Sequence, residues 1–244
     1  MTAEGDYTED TLFNGRIRCL QHRTGYRFSL DAVLLANFIQ PGPGERILDL
    51  GCGCGVVSLI LAYRWPSVSI TGLEIQPGLA ALANKNVMLN NWQERIEIVP
   101  GDLREIMNYI EPGSFDWIVS NPPYRRAGTG RVNPGGEQAL ARHEQSADLR
   151  SVTKAANWAV KKRGRGVFIY PASRGAAVIS ELKNVGLEPK KMLPIFSYPG
   201  CTASLLILEA VKQGGEELMI LPPFYVYDKR DGEYSPEMAG YYSP

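Results

Sequence analysis

The chain has 244 residues, 44% hydrophobic and 21% charged, so it can bury one substantial core, and two full domains are not expected. Its 26 Lys and Arg balance 26 Asp and Glu, which removes any global argument for a nucleic-acid partner. The four Cys and two His lack the spacing of metal ligands, which predicts reduced thiols and no metal site. The sequence shows no signal peptide and no apolar run of membrane length, which predicts a cytoplasmic protein that does not bind the membrane.

The chain begins with a predicted N-terminal extension of 44 residues. Residues 1–11 are small, polar and acidic and predict an irregular start, whereas Asn14-Gly15 is typical of a β-hairpin turn. Four arginines follow with no acid between them, so the hairpin either faces a polyanion or is an edge strand protected by charge. These arginines are Arg16, Arg18, Arg23 and Arg27. Ser29 is a candidate N-cap for a helix over residues 30–39.

From residue 45 the chain alternates strands and helices, the pattern of a mostly parallel α/β sheet. Residues 46–50 predict a buried strand, followed by Gly-Cys-Gly-Cys-Gly at 51–55 and a helical run at 56–64. Glycines here let the backbone approach a ligand closely, and the helix N-terminus favours an electronegative group. The glycines are Gly51, Gly53 and Gly55. A dinucleotide-binding loop is the competing interpretation, but Val56 stands where that motif requires a third glycine.

Two acidic residues follow at the ends of later predicted strands. The second strand ends in Glu74, where a carboxylate can accept hydrogen bonds from both ribose hydroxyls of an adenosine; an exposed strand-end acid is the alternative. A helix over residues 78–89 and a strand over 95–99 lead to Gly101-Asp102, which opens a third loop. Because open α/β sheets bind ligands at the carboxyl ends of their strands, we expect these loops to line one crevice.

The tetrapeptide Asn-Pro-Pro-Tyr at 121–124 follows the apolar run 115–119 and predicts a buried strand that opens into an active-site loop. An amine conjugated to an aromatic ring or a carbonyl is a poor nucleophile, because its lone pair is delocalised. The Asn121 side-chain oxygen and the Pro122 carbonyl can accept its two N–H bonds, and Tyr124 can stack on a planar substrate. This is catalysis by positioning, which needs no acid–base residue. The alternative is that the two prolines only end the strand and have no role in catalysis.

The tetrapeptide and the acid-Leu-Gly-x-Gly-x-Gly loop together resemble the amino-group branch of the S-adenosylmethionine-dependent methyltransferases. The resemblance implies S-adenosylmethionine as cofactor and a Rossmann-like, seven-stranded class I sheet, mostly parallel with an antiparallel last strand and helices on both faces. It implies that Asp49 meets the ammonium end of the donor and Asp102 the adenine amino group. The complete implied cofactor set is Asp49, Gly51, Gly53, Gly55, Glu74, Asp102 and Asn121.

The segment after the tetrapeptide is basic. From residue 121 to 174, eleven Lys or Arg stand against three acids, a local charge of +8. Arg125, Arg126 and Arg131 lie in a glycine-rich loop beside Tyr124 and are candidates for substrate binding, whereas a solvated helix face explains the later lysines equally well. His143 is a candidate general base, but an amine held by acceptors needs none.

The remaining elements complete the seven-stranded plan. They are predicted helices at 149–160 and 175–185 and strands at 166–170, 191–197 and 204–211. The predicted division is an N-terminal extension with hairpin and helix (1–44), a methyltransferase domain (45–213) and a C-terminal tail packed on that domain (214–244). We expect a monomer or a weak homodimer.

The two ends of the chain narrow the family. The stretch before the sheet is too short for the helical bundle that precedes the catalytic domain in release-factor glutamine methyltransferases. Residues 25–35, Gly-Tyr-Arg-Phe-Ser-Leu-Asp-Ala-Val-Leu-Leu, and 221–227, Leu-Pro-Pro-Phe-Tyr-Val-Tyr, resemble the bacterial methyltransferases that modify N6 of adenine 37 in a valine tRNA. This resemblance implies tRNA as substrate. Methylation of a protein glutamine or a small-molecule amine stays the alternative, while the intact site argues against a non-enzymatic RNA-binding relative.

Overall fold

The computed structural model describes residues 7–23, 30–122 and 149–243. The described chain forms a small N-terminal hairpin and a nine-stranded sheet with helices on both faces. The hairpin strands are β1 (Tyr7–Leu12) and β2 (Ile17–His22), and those of the large sheet are β3 (Arg46–Leu50), β4 (Ser69–Glu74), β5 (Ile96–Pro100), β6 (Phe115–Ser120), β7 (Val160–Pro171), β8 (Leu187–Phe196), β9 (Ala203–Lys212), β10 (Met219–Ile220) and β11 (Phe224–Tyr225). The helices are α1 (Leu30–Phe38), α2 (Val56–Arg64), α3 (Pro77–Leu89), α4 (Leu149–Ala159), α5 (Gly175–Asn184) and α6 (Pro236–Gly240), with short 3-10 helices at Leu103–Asn108 and Ala172–Arg174.

The order of strands in the large sheet is β10-β8-β9-β7-β6-β3-β4-β5, and β11 also pairs with β8. β9 runs antiparallel to β7 and β8, whereas the other described pairs of this sheet are parallel. This arrangement confirms the predicted class I plan with its antiparallel last strand. The described sheet has nine strands rather than seven, because two short strands of the tail pair with the otherwise free edge of β8.

Two long strands begin earlier than the sequence predicts. β7 begins at Val160 rather than at residue 166, and β8 begins at Leu187 rather than at residue 191. Val160 pairs with Phe115, and a register shift precedes the next pair of β6 and β7. The described pairs of β7 with its two neighbours skip residues 161–164, which are mostly basic and partly buried or exposed, and pairing resumes at Arg165. A hydrophobic pattern therefore does not detect this early start of the strand.

Two hydrophobic cores lie on opposite faces of the sheet. Neighbouring residues of a buried strand point to opposite faces, so Ile47 belongs to one core and Leu48 to the other. The first core contains residues of α1, α2, α3, the hairpin and the tail, and the second contains residues of α4 and α5. No helix in the described ranges is long and apolar enough to cross a bilayer. The proposed domain boundaries stay a prediction.

The N-terminal hairpin is longer than predicted. Its turn contains Asn14-Gly15, as expected, but the predicted irregular start is wrong from Tyr7 onward, because Tyr7–Leu12 pairs along its whole length with Ile17–His22. The strand β1 supplies the acids that β2 lacks: Glu9 accepts hydrogen bonds from Arg18 Nε at 2.6 Å and Nη2 at 2.9 Å. This ion pair neutralises part of the basic character that the sequence assigns to the hairpin.

Candidate active site

The predicted cofactor and substrate residues lie at one edge of the sheet. β6, β3, β4 and β5 are neighbours and run parallel, so the residues after their carboxyl ends lie side by side. The structure brings together at this edge the glycine loop (residues 51–55), Asp49, Glu74, Asp102, Asn121 and Pro122. Tyr124, Arg125, Arg126, Arg131 and His143 lie outside the described residues.

The glycine loop requires its glycines for two different reasons. Gly51, Gly53 and Gly55 have φ of 73°, 58° and 85°, which disfavours any residue with a side chain. A Cβ added at Gly55 would lie 3.3 Å from the Cβ of Ala83, so this position also lets α3 pack against the loop. At Gly51 and Gly53 the added atom would have no described neighbour within 4 Å, which leaves room for a ligand beside the backbone.

Glu74 is a buried carboxylate that holds two loops in place. Its Oε2 accepts a hydrogen bond from the Gly53 N–H and its Oε1 one from the Gln76 N–H, both at 2.9 Å. Burial raises the pKa of Glu74 above its usual range, and these backbone hydrogen bonds oppose the rise. Since a carboxylate oxygen can accept more than one hydrogen bond, Glu74 keeps acceptor capacity for a ligand.

Asp49 is 1% exposed, and its Oδ2 accepts a hydrogen bond of 2.8 Å from the Ser58 hydroxyl. Burial raises the pKa of Asp49 to about 7, the Ser58 hydrogen bond opposes this, and the negative charge of Glu74 adds to it. Two buried carboxylates in one site destabilise each other's charged form. A cationic ligand would relieve that destabilisation.

Asp102 is the N-cap of the 3-10 helix Leu103–Asn108 and is already engaged. Its Oδ1 accepts hydrogen bonds of 2.9 Å from the Arg104 backbone N–H and from Arg104 Nε, and its Oδ2 pairs with the Arg104 guanidinium. Arg104 therefore lowers the pKa of Asp102. An adenine amino group at Asp102 would have to share the carboxylate with this arginine.

Asn121 and Pro122 follow the last residue of β6. Ser120, which is fully buried, donates its hydroxyl to the Leu50 carbonyl at 2.9 Å and so joins the carboxyl end of β6 to that of β3. Asn121 is half-buried and Pro122 is buried. This bond places the start of the tetrapeptide directly beside the glycine loop.

The sequence interpretation missed several residues that support this edge. Ser58 bonds Asp49, Arg104 bonds Asp102, and Asn86 bonds the glycine loop from α3. Ile75 is 48% exposed directly after Glu74, which places an apolar surface next to the carboxylate. That apolar residue after a strand-end acid is a signal which the sequence contained.

The described residues fit S-adenosylmethionine. The donor has an ammonium group and a sulfonium centre, and the site offers two buried carboxylates whose pKa values no described cation lowers. Its adenosine end needs acceptors for hydroxyls and an apolar surface for the base, which Glu74 and Ile75 can offer. The open sides of Gly51 and Gly53 leave space for close approach. Among the residues that the structure describes, no group of His, Cys, Asp and Glu could hold a metal ion.

We expect Asp49→Asn to stabilise the protein and weaken donor binding. The folded pKa of about 7 lies above the ordinary 3.8, so the native state holds the proton more tightly, and this stabilising contribution is lost as pH rises through 7. At pH 8 the variant should therefore melt a few degrees higher, since ~1 kcal/mol corresponds to about 2–4 °C in a protein of this size.

Melting curves at pH 5 provide the control, because Asp49 is mostly protonated there and the gain should shrink. Calorimetry with S-adenosylhomocysteine at pH 8 should show weaker binding by the same variant. Equal destabilisation at both pH values would contradict the assignment of a buried, uncompensated charge.

The fold and the arrangement of this edge define a class I methyltransferase. Solved structures show the same fold: a protein from Agrobacterium tumefaciens described as a predicted O-methyltransferase is 19% identical with a TM-score of 0.70, covering 86% of this chain and 94% of its own. TYW2 from Pyrococcus horikoshii, solved in complex with MeSAdo, is 16% identical with a TM-score of 0.60. The match covers 87% of this chain and 74% of the TYW2 chain.

Sequence relatives define the family within this class. The family model for the methyltransferase small domain matches residues 29–141. A Bacteroides thetaiotaomicron protein named tRNA1(Val) (adenine(37)-N6)-methyltransferase is 32% identical over 179 residues, which cover 73% of each chain. A Yersinia pestis protein of the same name is 28% identical over 236 residues, 96% of this chain and 91% of its own. The chain belongs to the tRNA1(Val) (adenine(37)-N6)-methyltransferase family, and it is an S-adenosylmethionine-dependent enzyme.

Proposed function

We propose that this enzyme transfers the methyl group of S-adenosylmethionine to N6 of an adenine in tRNA, and that the base is adenine 37 beside the anticodon of a valine tRNA. The observation that supports this most strongly is the position of Asn121 and Pro122 at the carboxyl end of β6, beside the glycine loop and two buried carboxylates. Relatives named for adenine 37 support the choice of base.

Bound S-adenosylmethionine supplies an electrophilic methyl group on its sulfonium. Asp49 would attract the ammonium end of the bound donor, and Glu74 would accept hydrogen bonds from the ribose hydroxyls while it holds the glycine loop through Gly53. Ile75 would cover one side of the donor's adenine ring, and Asp102 would accept a hydrogen bond from the amino group of that ring while it keeps its ion pair with Arg104. The described side chains bind and orient the donor. As the new N–C bond forms, the S–C bond breaks and S-adenosylhomocysteine is released, and the proton that the methylated amine loses passes to solvent.

Asn121 and Pro122 act on the substrate amine. The Asn121 side-chain oxygen and the Pro122 carbonyl each accept one N–H bond of the adenine amino group, which turns its lone pair toward the methyl group. Tyr124 stacks on the base, which must leave its stack in the anticodon loop to reach the site. Rate enhancement then comes from positioning by fixed acceptors.

Arg125, Arg126 and Arg131 bind phosphates next to the target base. They belong to the segment from residue 121 to 174, whose local charge is +8 in a chain of no net charge. Phosphate contacts position an RNA without reading its sequence, so selection of one tRNA comes from the bases around the target. Arg18 already pairs with Glu9, which lowers what the hairpin adds to phosphate binding.

A methyl-transfer assay tests the proposal. With a labelled donor, we expect label in a valine tRNA transcript and none in a release-factor peptide that contains the glutamine acceptor. A transcript with guanine at position 37 is the matched control and should stay unlabelled. Nucleoside mass spectrometry should identify N6-methyladenosine. Label in the peptide and none in tRNA would replace the proposal with protein glutamine methylation, which uses the same tetrapeptide.

Binding of the same valine tRNA transcript gives a second test through its salt dependence. Each neutralised phosphate contributes roughly −0.7 to −0.9 to the logarithmic slope of binding against salt. Neutralising Arg125, Arg126 and Arg131 to glutamine should flatten that slope by about one to three on the same estimate. The matched control neutralises three cations outside this segment and near the opposite ends of the strands, Arg46, Lys183 and Lys190. An equal change in both variants would contradict a phosphate site beside Tyr124.

A further inference from the structure

The N-terminal hairpin contacts the body of the enzyme through two asparagines of α3. Asn86 Oδ1 accepts a hydrogen bond of 2.7 Å from the Leu20 N–H, and its Nδ2 donates to the Leu20 carbonyl at 3.0 Å. Asn90 makes the same pair of bonds with Arg18, at 2.9 Å and 2.7 Å. Each side-chain amide therefore pairs with the backbone of one residue of β2.

The spacing of the two asparagines explains this arrangement. Four residues of an α-helix rise about 6 Å, and two residues of a strand span roughly 6.5 Å, so side chains at i and i+4 match alternate strand residues. A side-chain amide can pair with a strand residue through its acceptor oxygen and one N–H, and its second N–H stays available for another bond. α3 thus supplies the hydrogen bonds that a neighbouring strand would give to this edge of β2.

Asn86 differs from Asn90 in its remaining bond. Asn86 Nδ2 also donates to the Cys54 carbonyl at 2.9 Å, whereas Asn90 Nδ2 donates to the Asn86 carbonyl of its own helix at 2.8 Å. Cys54 lies within the glycine loop, and the N–H of the next residue, Gly55, donates to the Cys52 carbonyl at 2.9 Å. Both polar groups of the peptide between Cys54 and Gly55 are therefore held.

The Asn86 side chain that bonds the hairpin and the glycine loop is buried. Asn86 is 0% exposed, so water cannot replace a hydrogen bond that it loses. Cys19 of β2 and Cys54 of the loop are also buried, and the Asn86 amide lies 3.7 Å from the Cys19 sulfur. A single buried amide thus contacts the hairpin on one side and the glycine loop on the other.

We propose that Asn86 is a positioning residue for the methyl donor. Asn86 holds the Cys54 carbonyl and thereby couples the geometry of the glycine loop to the position of the N-terminal hairpin. This inference rests on the proposed function, because it assigns the glycine loop to the donor. Linkage makes the effect reciprocal: a donor that orders the loop also stabilises the hairpin against α3. Asn90 anchors the same hairpin without touching the loop and is the matched control.

Calorimetry with S-adenosylhomocysteine tests this assignment. We expect Asn86→Ala to weaken binding by about 3- to 10-fold, the range for loss of one neutral hydrogen bond, and Asn90→Ala to stay within about twofold of wild type. Both variants should melt at lower temperature, so a loss of stability alone cannot account for the difference. Equal affinities of the two variants would overturn the inference.

Hydrogen exchange on the wild-type protein gives a second test that does not depend on a variant's folding. Bound S-adenosylhomocysteine should slow amide exchange in Ile17–His22 by at least about twofold, because its Leu20 amide bonds Asn86, and Asn90→Ala should keep that response. Unchanged exchange in β2 with ligand bound would overturn the inference while leaving the proposed function intact. Wild-type protein that bound no S-adenosylhomocysteine would overturn both.

Discussion

Replacing Asn121 by alanine should lower the rate of methyl transfer by about 100- to 1000-fold, the usual cost of removing one fixed hydrogen-bond partner from a reacting group. We expect the Asn121 oxygen to accept a hydrogen bond from the amino group of the substrate adenine. This bond holds the amine so that its lone pair points at the methyl group, and without it the amine is poorly oriented for attack. Affinity for the donor should change by no more than a few fold, because this contact is made to the substrate. Single-turnover methyl transfer and calorimetry measure the two quantities separately.

Two variants make the Asn121 result specific. Asn121→Asp keeps an acceptor oxygen at the same position and should retain more activity than alanine. Asn184→Ala removes an exposed asparagine at the end of α5 and should leave the rate unchanged. If Asn121→Ala lost donor binding in parallel with rate, Asn121 would be a structural residue of the loop, joined like Ser120 to the end of β3.

Glu74→Ala should weaken donor binding by about 10- to 100-fold, which corresponds to the loss of hydrogen bonds to a charged group. Two effects contribute. The ribose hydroxyls lose their acceptor, and the backbone N–H groups of Gly53 and Gln76 lose theirs. Glu97→Ala, which removes an exposed acid from the neighbouring strand β5, is the matched control and should bind as wild type does.

A ligand analogue separates the two contributions of Glu74. Wild-type protein should bind S-adenosylhomocysteine more tightly than its 2′-deoxyribose analogue, and this preference should disappear in Glu74→Ala if the carboxylate contacts the ribose. A preference that survived in the variant would show that Glu74 acts only by anchoring the glycine loop. Calorimetry with both ligands on both proteins completes the cycle.

Local signals in the sequence were sufficient for the fold class, whereas the roles of the site residues stay predictions. The strand Arg46–Leu50 and the helix Val56–Arg64 have the predicted boundaries, because an apolar strand, a loop that requires positive φ and a helical run are each determined by neighbouring residues. The common edge followed from the topology of parallel sheets, which places the carboxyl ends of adjacent strands side by side. The sequence by itself therefore determined an open α/β sheet with its loops at one edge, and the resemblance of two of those loops to a known family indicated an amine methyltransferase.

Tertiary structure alone decided which polar groups pair across the chain. Asn86 is 66 residues from Leu20 and 32 from Cys54, and no local pattern predicts a bond between a side-chain amide and a distant backbone carbonyl. β1 is acidic and polar, and its strand pairing became apparent only once β2 lay beside it. Whether Asp102 faces an open crevice or Arg104 depends on side-chain conformations that residue types do not specify. These contacts depend on packing, and packing brings together residues whose distance in the sequence carries no information about their distance in space.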